Sequence, residues 1–299
     1  MHGASRHERA GPLPGVDASA RSAEADPMTG IYLYSDRGRQ RLREVIRPGM
    51  LCAFDFDGTL APIAHDPAAV TMAPGLRGLF TQLSARTPVA VITGRAAADC
   101  APRLGFDPTY LLGNHGIEGL PTDAGSYSTH LLQVAGWRAA LQTLLGRAAP
   151  ALHGAWLEDK EHSLSLHYRA CSLREAAREL LLEMAAVVAP EARVIEGKCV
   201  VSLLPPGAGD KGAALAWLRR HHGDPTTLYV GDDANDEDAF RLAAPDVLTI
   251  RVGRDDTSAA ECYIVDPDEL VALVRELLDV LPTAAVSTVP KPRVRPAGS

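Results

Sequence analysis

No two cysteines of this chain are spaced as a metal clip or a redox pair. The five of them, Cys52, Cys100, Cys171, Cys199 and Cys262, are odd in number and widely scattered. That excludes a disulfide scaffold and a cysteine zinc site, and the five read as reduced, mostly packed thiols of a cytoplasmic protein. No long Lys/Arg run exists and the formal net charge is −7, so nothing is present to neutralise the phosphates of nucleic acid or an anionic membrane surface. No apolar stretch approaches the length that crosses a bilayer, and the first residues lack the apolar segment of a secretory signal. No internal repeat is visible. Residues 1–29, rich in Ala, Gly, Pro, Ser and charge, and the Pro-punctuated residues 283–299 are expected to be disordered, with Met1 or Met28 as the natural start.

What is present is a hydrophobic content of 46% over 299 residues, enough for a substantial core in one large domain or two modest ones. Short apolar runs at "MLCAFDF", "PVAVITG", "TYLLGNHG", "TTLYVGDD" and "VLTIRVG" are of strand length and lack period-two polarity, as expected of parallel strands covered on both faces. Between them lie helical stripes: Leu76, Leu79, Phe80 and Leu83; Ala214, Leu215 and Leu218; Leu270, Leu273, Val274 and Leu277. Strands alternating with helices predict a doubly wound parallel sheet of the α/β class.

The middle of the chain breaks that rhythm. A helix pattern at "HLLQVAGWRAALQTLLGRA" precedes "AWLEDKEHSLSLHYR", in which Leu164, Leu166 and Tyr168 alternate with Ser163, Ser165, His167 and Arg169. A second helix, "LREAARELLLEMAAVV", is followed by "ARVIEGKCVVSLL", expected to be a hairpin turning at Glu196 and Gly197. This order predicts an inserted, smaller α+β cap over residues 117–205, its helices on one sheet face and its polar face free. The core is then divided into residues 30–116 and 206–282.

In open α/β sheets ligands bind beyond the carboxyl ends of the strands, and each polar cluster here sits at such an end. Asp55 and Asp57 follow the first run, Thr93, Gly94 and Arg95 the second, and Asp232 and Asp233 close "TTLYVGDD". Converging carboxylates repel unless a hard divalent cation neutralises them, and oxygen ligands without Cys or His suit Mg²⁺. Lys211 opens the helix "KGAALAWLRRHH", where a cation is locally unfavourable and hints at an anion nearby. A carboxylate-held cation, an ammonium and the Thr93 hydroxyl together suit a phosphoryl group, and one carboxylate could attack phosphorus to give an aspartyl-phosphate.

The motifs "DFDGTL", "VITGR", "DKGAAL" and "GDDANDEDAF", in this order, resemble the four motifs of the haloacid dehalogenase (HAD) superfamily of phosphatases. The details "GNHGIE", "WLEDKEHSLSLHYR" and "VDPDELVALV" narrow the resemblance to trehalose-6-phosphate phosphatases, over Pro48 to about Leu281. The resemblance implies a HAD-like core with an inserted cap. It implies that Asp55 is the nucleophile, Asp57 the general acid and base, and Thr93 and Lys211 the phosphoryl binders. Asp55, the Asp57 main-chain carbonyl and Asp232 would hold Mg²⁺, supported by Asp233 or Asp236. Gly94, Arg95, His115, Glu118, Glu158, Lys160 and Arg169 would contact the substrate. The chain departs from the family at Ser202, where a glutamate is usual, and at Asn235, where threonine is commoner. The first departure bears on which sugar is bound and leaves the phosphate chemistry untouched. The expected protein is a cytoplasmic monomer acting on a small-molecule sugar phosphate, in which nucleic acid and membrane play no part. The alternatives are a phosphatase for another disaccharide, pseudo-disaccharide or glycosyl-polyol phosphate, and a non-catalytic sugar-phosphate sensor.

Overall fold

The computed structural model describes residues 30–64, 69–120, 124–147, 150–242 and 244–283. The expected N-terminal extension and all but the first residue of the expected tail lie outside the described residues. In chain order the elements are β1 (Ile31–Tyr32), α1 (Asp36–Val45), β2 (Leu51–Phe54), α2 (Pro74–Ser84), β3 (Val89–Ile92), α3 (Ala97–Leu104) and β4 (Tyr110–Leu112). There follow α4 (Ala124–Leu145), β5 (Trp156–Asp159), β6 (Leu164–His167), α5 (Arg174–Val188), β7 (Arg193–Gly197) and β8 (Val200–Leu204). The chain ends with α6 (Lys211–His221), β9 (Thr227–Gly231), α7 (Glu237–Phe240), β10 (Val247–Val252), β11 (Cys262–Ile264) and α8 (Glu269–Val280).

Seven strands form one parallel sheet in the order β1-β11-β10-β9-β2-β3-β4. Alternate side chains serve opposite layers, which is why its longer strands read as unbroken apolar runs. Cys52 and Phe54 pack with Phe80, Leu270 and Leu273 of α2 and α8, whereas Leu51 and Ala53 pack with Leu215 and Leu218 of α6. The doubly wound α/β class is thus observed, with two strands beyond the five expected. At two and three residues, β1 and β11 are too short to carry a periodicity of their own.

The four remaining strands form a separate antiparallel sheet in the order β5-β6-β8-β7. Leu164, Leu166, Val201 and Leu203 pack on Trp137 and Leu141 of α4 and on Ala177 and Leu181 of α5. The alternation in β6 is therefore real. The turn of the β7–β8 hairpin differs from expectation: β7 runs through Gly197, which pairs with Val200, so the turn is Lys198 and Cys199. Glycine attracts a turn assignment because it tolerates positive φ, yet here the left-handed residue is Cys199, with φ 65°. All five cysteines are free thiols, four of them buried. Among the described residues no helix is long and apolar enough to cross a membrane.

The polar face of the small sheet meets the carboxyl end of the large one. Lys160 Nζ donates to the Gly94 carbonyl at 2.9 Å, Arg169 Nη1 to the Ala64 carbonyl at 2.8 Å, and Asn114 Nδ2 to the Lys160 carbonyl at 3.1 Å. Ser163 Oγ donates to Asn114 Oδ1 at 2.8 Å. A cavity of about 390 Å³ lies between the two layers.

Candidate active site

Adjacent β2 and β9 end in Asp55 and Asp232, and Lys211 begins α6, so the topology brings three distant segments to one point. Asp210 caps α6, its carboxylate accepting from the Ala213 N–H at 2.7 Å, and so fixes where Lys211 starts. Lys211 Nζ lies 2.8 Å from Asp55 Oδ1 and 2.7 Å from Asp236 Oδ1, and all three side chains are buried. Burial lowers the Lys211 pKa, but Asp236 and Asp55 outweigh it and hold the ammonium charged. A cation at a helix N-terminus and two buried carboxylates, each costly alone, thus compensate one another.

Carboxylate oxygens of Asp55, Asp232 and Asp236 lie within 4.8 Å of one another. Burial pushes the Asp55 carboxyl well above the usual carboxylate range; Lys211 opposes this, while Asp236 and Asp232 add to it. Asp232 is pushed up to about 6 by burial and by Asp236, against the pull of Lys198 and Lys211. Gly58, with φ 86°, leaves the space in which the Asp232 carboxylate sits, where any β-carbon would collide with it.

The donor set fits a hard cation. Among the described residues Asp232 Oδ1 and Asn235 Oδ1 are buried without hydrogen-bond partners, an arrangement that costs free energy unless something else supplies the positive end. Asp236 is different, because its oxygens are already engaged. Oδ1 accepts from Lys211 and from the Tyr229 hydroxyl at 2.6 Å, and Oδ2 from the N–H groups of Asp232 and Asp233 at 3.0 and 2.9 Å. Of the two supporting acids left open by the sequence, Asp236 is the one inside the cluster, as an organiser of the β9 loop and of Lys211. Asp233 caps the turn that follows.

The structure redistributes several other expected site residues. Arg95 grips Asp57 as a fork, with Nε and Nη2 each 2.7 Å from a carboxylate oxygen, while Nη1 donates to Asp99 at 2.9 Å. Arg95 lines the cavity, yet its guanidinium faces Asp57 rather than open space. Thr93 is fully buried, and its hydroxyl accepts from the Arg95 N–H at 3.2 Å. His115 is buried at φ 60°, packed so closely beneath Gly94 that a β-carbon there would come within 2.6 Å of its ring. Burial, with Lys160, Lys211 and Arg193 nearby, holds the imidazole neutral by lowering its pKa well below the usual value. The placement of Glu118 corrects the expectation for it. Its carboxylate accepts from the Ala97 N–H at 2.8 Å and from Asn114 Nδ2 at 3.2 Å, so it faces the start of α3 rather than the cavity. A helix N-terminus attracts a carboxylate, and that attraction is local.

On the small sheet, Glu158, Lys160, Arg169 and Ser202 all line the cavity. Ser202 Oγ is 3.0 Å from Ser165 Oγ on the paired strand. Burial lowers the Lys160 pKa, opposed by Glu158 and Asp57. Sequence reasoning placed His167 on the free polar face without assigning it a role, and passed over Trp156, Lys198 and Asn235 as cavity residues. Lys198 Nζ reaches Asp232 Oδ2 at 3.3 Å from the hairpin turn, a contact across 34 residues that no local pattern announces.

A parallel sheet with Asp-x-Asp at the end of a central strand, a buried lysine opposite and acids closing the neighbouring strand defines a HAD-like fold. The C-terminal domain of the C. albicans trehalose-6-phosphate phosphatase superposes with a TM-score of 0.65 over 85% of this chain and 99% of that domain, at 20% identity. The family model described as Trehalose-phosphatase matches residues 53–260, and the chain belongs to that family. The trehalose-phosphate phosphatases of Mycobacterium marinum and Mycobacterium tuberculosis are each 36% identical to it, over 72% and 73% of this chain. The matched parts are 56% and 58% of those relatives, so the chain spans about half their length.

Proposed function

We propose that the chain hydrolyses trehalose 6-phosphate to trehalose and phosphate through an aspartyl-phosphate on Asp55. One observation carries the reading: Asp55 and Lys211 are paired in a buried cluster that lines the cavity, with the unpartnered oxygen of Asp232 beside them. Asp55, Asp232 and the Asp57 main-chain carbonyl would hold Mg²⁺, which when bound polarises the phosphoryl oxygens and offsets the carboxylate charge. In this reading an Asp55 oxygen attacks phosphorus as the bond to the sugar oxygen breaks, and Lys211 and the Thr93 hydroxyl hold the transferring group. Asp57 protonates the leaving oxygen and then takes a proton from the water that hydrolyses the aspartyl-phosphate. For Asp57 to carry that proton, the fork by which Arg95 engages both of its oxygens must open.

Residues 117–205 act in this proposal as a cap whose polar sheet face recognises the sugar, over a core of residues 30–116 and 206–282. Glu158, Lys160 and Arg169 supply acceptors and donors for hydroxyls, each of which both donates and accepts. The enzyme works as a cytoplasmic monomer on a free sugar phosphate. One observation favours a second reading of the substrate alone: Ser202 on the cavity wall pairs with the buried Ser165 hydroxyl and carries no charge, which suits another disaccharide or glycosyl-polyol phosphate as well. Phosphate release over a panel of sugar phosphates, with Mg²⁺ and with chelator, tests the proposal. The expected result is metal-dependent turnover favouring trehalose 6-phosphate and abolished by Asp55→Asn. Tight binding without turnover would instead make the protein a sensor.

A further inference from the structure

Trp156 opens β5 and is the largest side chain on the cavity wall, yet 49% of it is exposed. An indole left half open to water forfeits much of the benefit of burying its apolar surface, unless a ligand covers it. The ring is not loose. It lies flat on the imidazole of His167, with centroids 4.2 Å apart and planes 10° from parallel, and the β5–β6 register sets the two residues directly opposite. His167 is itself anchored, with Nε2 2.7 Å from Glu158 Oε2. Burial raises the Glu158 pKa, but His167 and Lys160 bring it below the usual carboxylate value, so an ionised carboxylate accepts from the imidazole N–H. One face of the indole is thereby backed and fixed, and the residue lines the cavity.

The position along the strand is as informative as the geometry. Lys160, immediately beyond β5, touches the large sheet at the Gly94 carbonyl. Trp156 is four residues earlier, roughly 13 Å away at strand rise. A ligand whose phosphate sits at Asp55 would pass Lys160 and Glu158 with its first ring and reach Trp156 only with a second. The rest of the wall carries both polar and apolar surface, with Glu158, Lys160 and Ser202 beside Ile63, Ile195 and Val200. A pyranose presents a rim of hydroxyls and a face of C–H groups, and it needs both kinds of surface. We propose that Trp156, held by the His167–Glu158 pair, is the stacking platform for the sugar ring farther from the phosphate, and that it sets the preference for a disaccharide phosphate over smaller phosphate esters. This rests on the phosphatase reading above.

The test uses the full chain with Mg²⁺ and compares kcat/KM for trehalose 6-phosphate and p-nitrophenyl phosphate in the wild type, Trp156→Ala and Trp156→Phe. Trp156→Ala should lower the ratio of the two values by about 10- to 100-fold, mainly through KM for the sugar, as expected for lost apolar contact. Trp156→Phe, which keeps a flat ring, should restore most of the ratio. Adding trehalose alone should shift tryptophan emission in the wild type and not in Trp156→Phe, which retains Trp137 and Trp217. A ratio unchanged within twofold in Trp156→Ala, or both substrates falling together in both variants, would overturn the platform and leave Trp156 a scaffold residue. A wild type that cleaves p-nitrophenyl phosphate but no sugar phosphate would overturn the sugar-phosphate reading and this proposal with it. A wild type that prefers the disaccharide phosphate while the ratio survives Trp156→Ala overturns the platform alone.

Discussion

Replacing Lys211 with methionine keeps the length of the side chain and removes the charge that holds the site together. In the native protein its ammonium is 2.8 Å from Asp55 and 2.7 Å from Asp236, with exposures of 1% for Lys211, 6% for Asp55 and 0% for Asp236. Removing one partner of a buried pair leaves an uncompensated buried charge and costs about 3–5 kcal/mol, a large fraction of the roughly 5–15 kcal/mol that stabilises a domain. Asp55→Asn acts in the opposite direction, because burial and two neighbouring carboxylates already disfavour an ionised Asp55. That variant should be neutral or stabilising without metal. The double variant, which removes one charge of each sign, should recover at least 2 kcal/mol of the loss in Lys211→Met. Urea unfolding at pH 7.5 in chelator, followed by circular dichroism with m held in common, measures all four corners of the cycle. A loss below about 1 kcal/mol in Lys211→Met, or a double variant as unstable as Lys211→Met, would refute the view that this lysine neutralises the cluster.

Further outcomes follow from the same geometry. Asp57→Asn should lower kcat by about 10²–10⁴-fold with the fold intact, the range expected for a lost acid and base; near-native turnover would remove Asp57 from that role. The folded pKa of Asp232, about 6, lies above its ordinary 3.8, so the folded state binds the extra proton. Its contribution to stability is therefore present below about pH 4 and lost as pH rises through about 6, a change on the order of 3 kcal/mol without metal. Saturating Mg²⁺ should flatten that slope and Asp232→Asn should reduce it, with Asp55 supplying the remainder; unfolding midpoints between pH 4 and pH 7 with a slope unchanged in Asp232→Asn would show the assignment wrong. Ser202→Glu places a carboxylate on the cavity wall, and a charge-assisted hydrogen bond contributes about 1.5–3 kcal/mol against roughly 0.5–1.5 for a neutral one. It should raise the preference for trehalose 6-phosphate over glucose 6-phosphate in kcat/KM, and an unchanged ratio would show that position 202 does not touch sugar.

Much of the site was legible before any coordinate, because its main residues are punctuation. Asp55, Asp57, Thr93 and Asp232 each end an apolar strand, and a parallel sheet delivers all such ends to one edge whatever the details of packing. The same holds for the α/β class itself and for the faces of β6, where a period of two is enough to separate Leu164 and Leu166 from Ser165 and His167. The partners of these residues were decided by distance in three dimensions. Asp57 meets Arg95 across 38 residues, Lys211 meets Asp236 across 25 and Lys198 meets Asp232 across 34. Glu118 could have faced the cavity or the start of α3, and the unsatisfied N–H of Ala97 took it. Asp236 stood level with Asp233 in sequence and became the organiser because Tyr229 and Lys211 converge on it. Trp156 reads in sequence as one more apolar strand residue, and only the pairing of β5 with β6 stacks it on His167 at the cavity wall. Chain order and periodicity determine which elements form and which ends are polar. The choice of partner among several nearby charges depends on burial and hydrogen-bond competition, which exist only once the layers have packed.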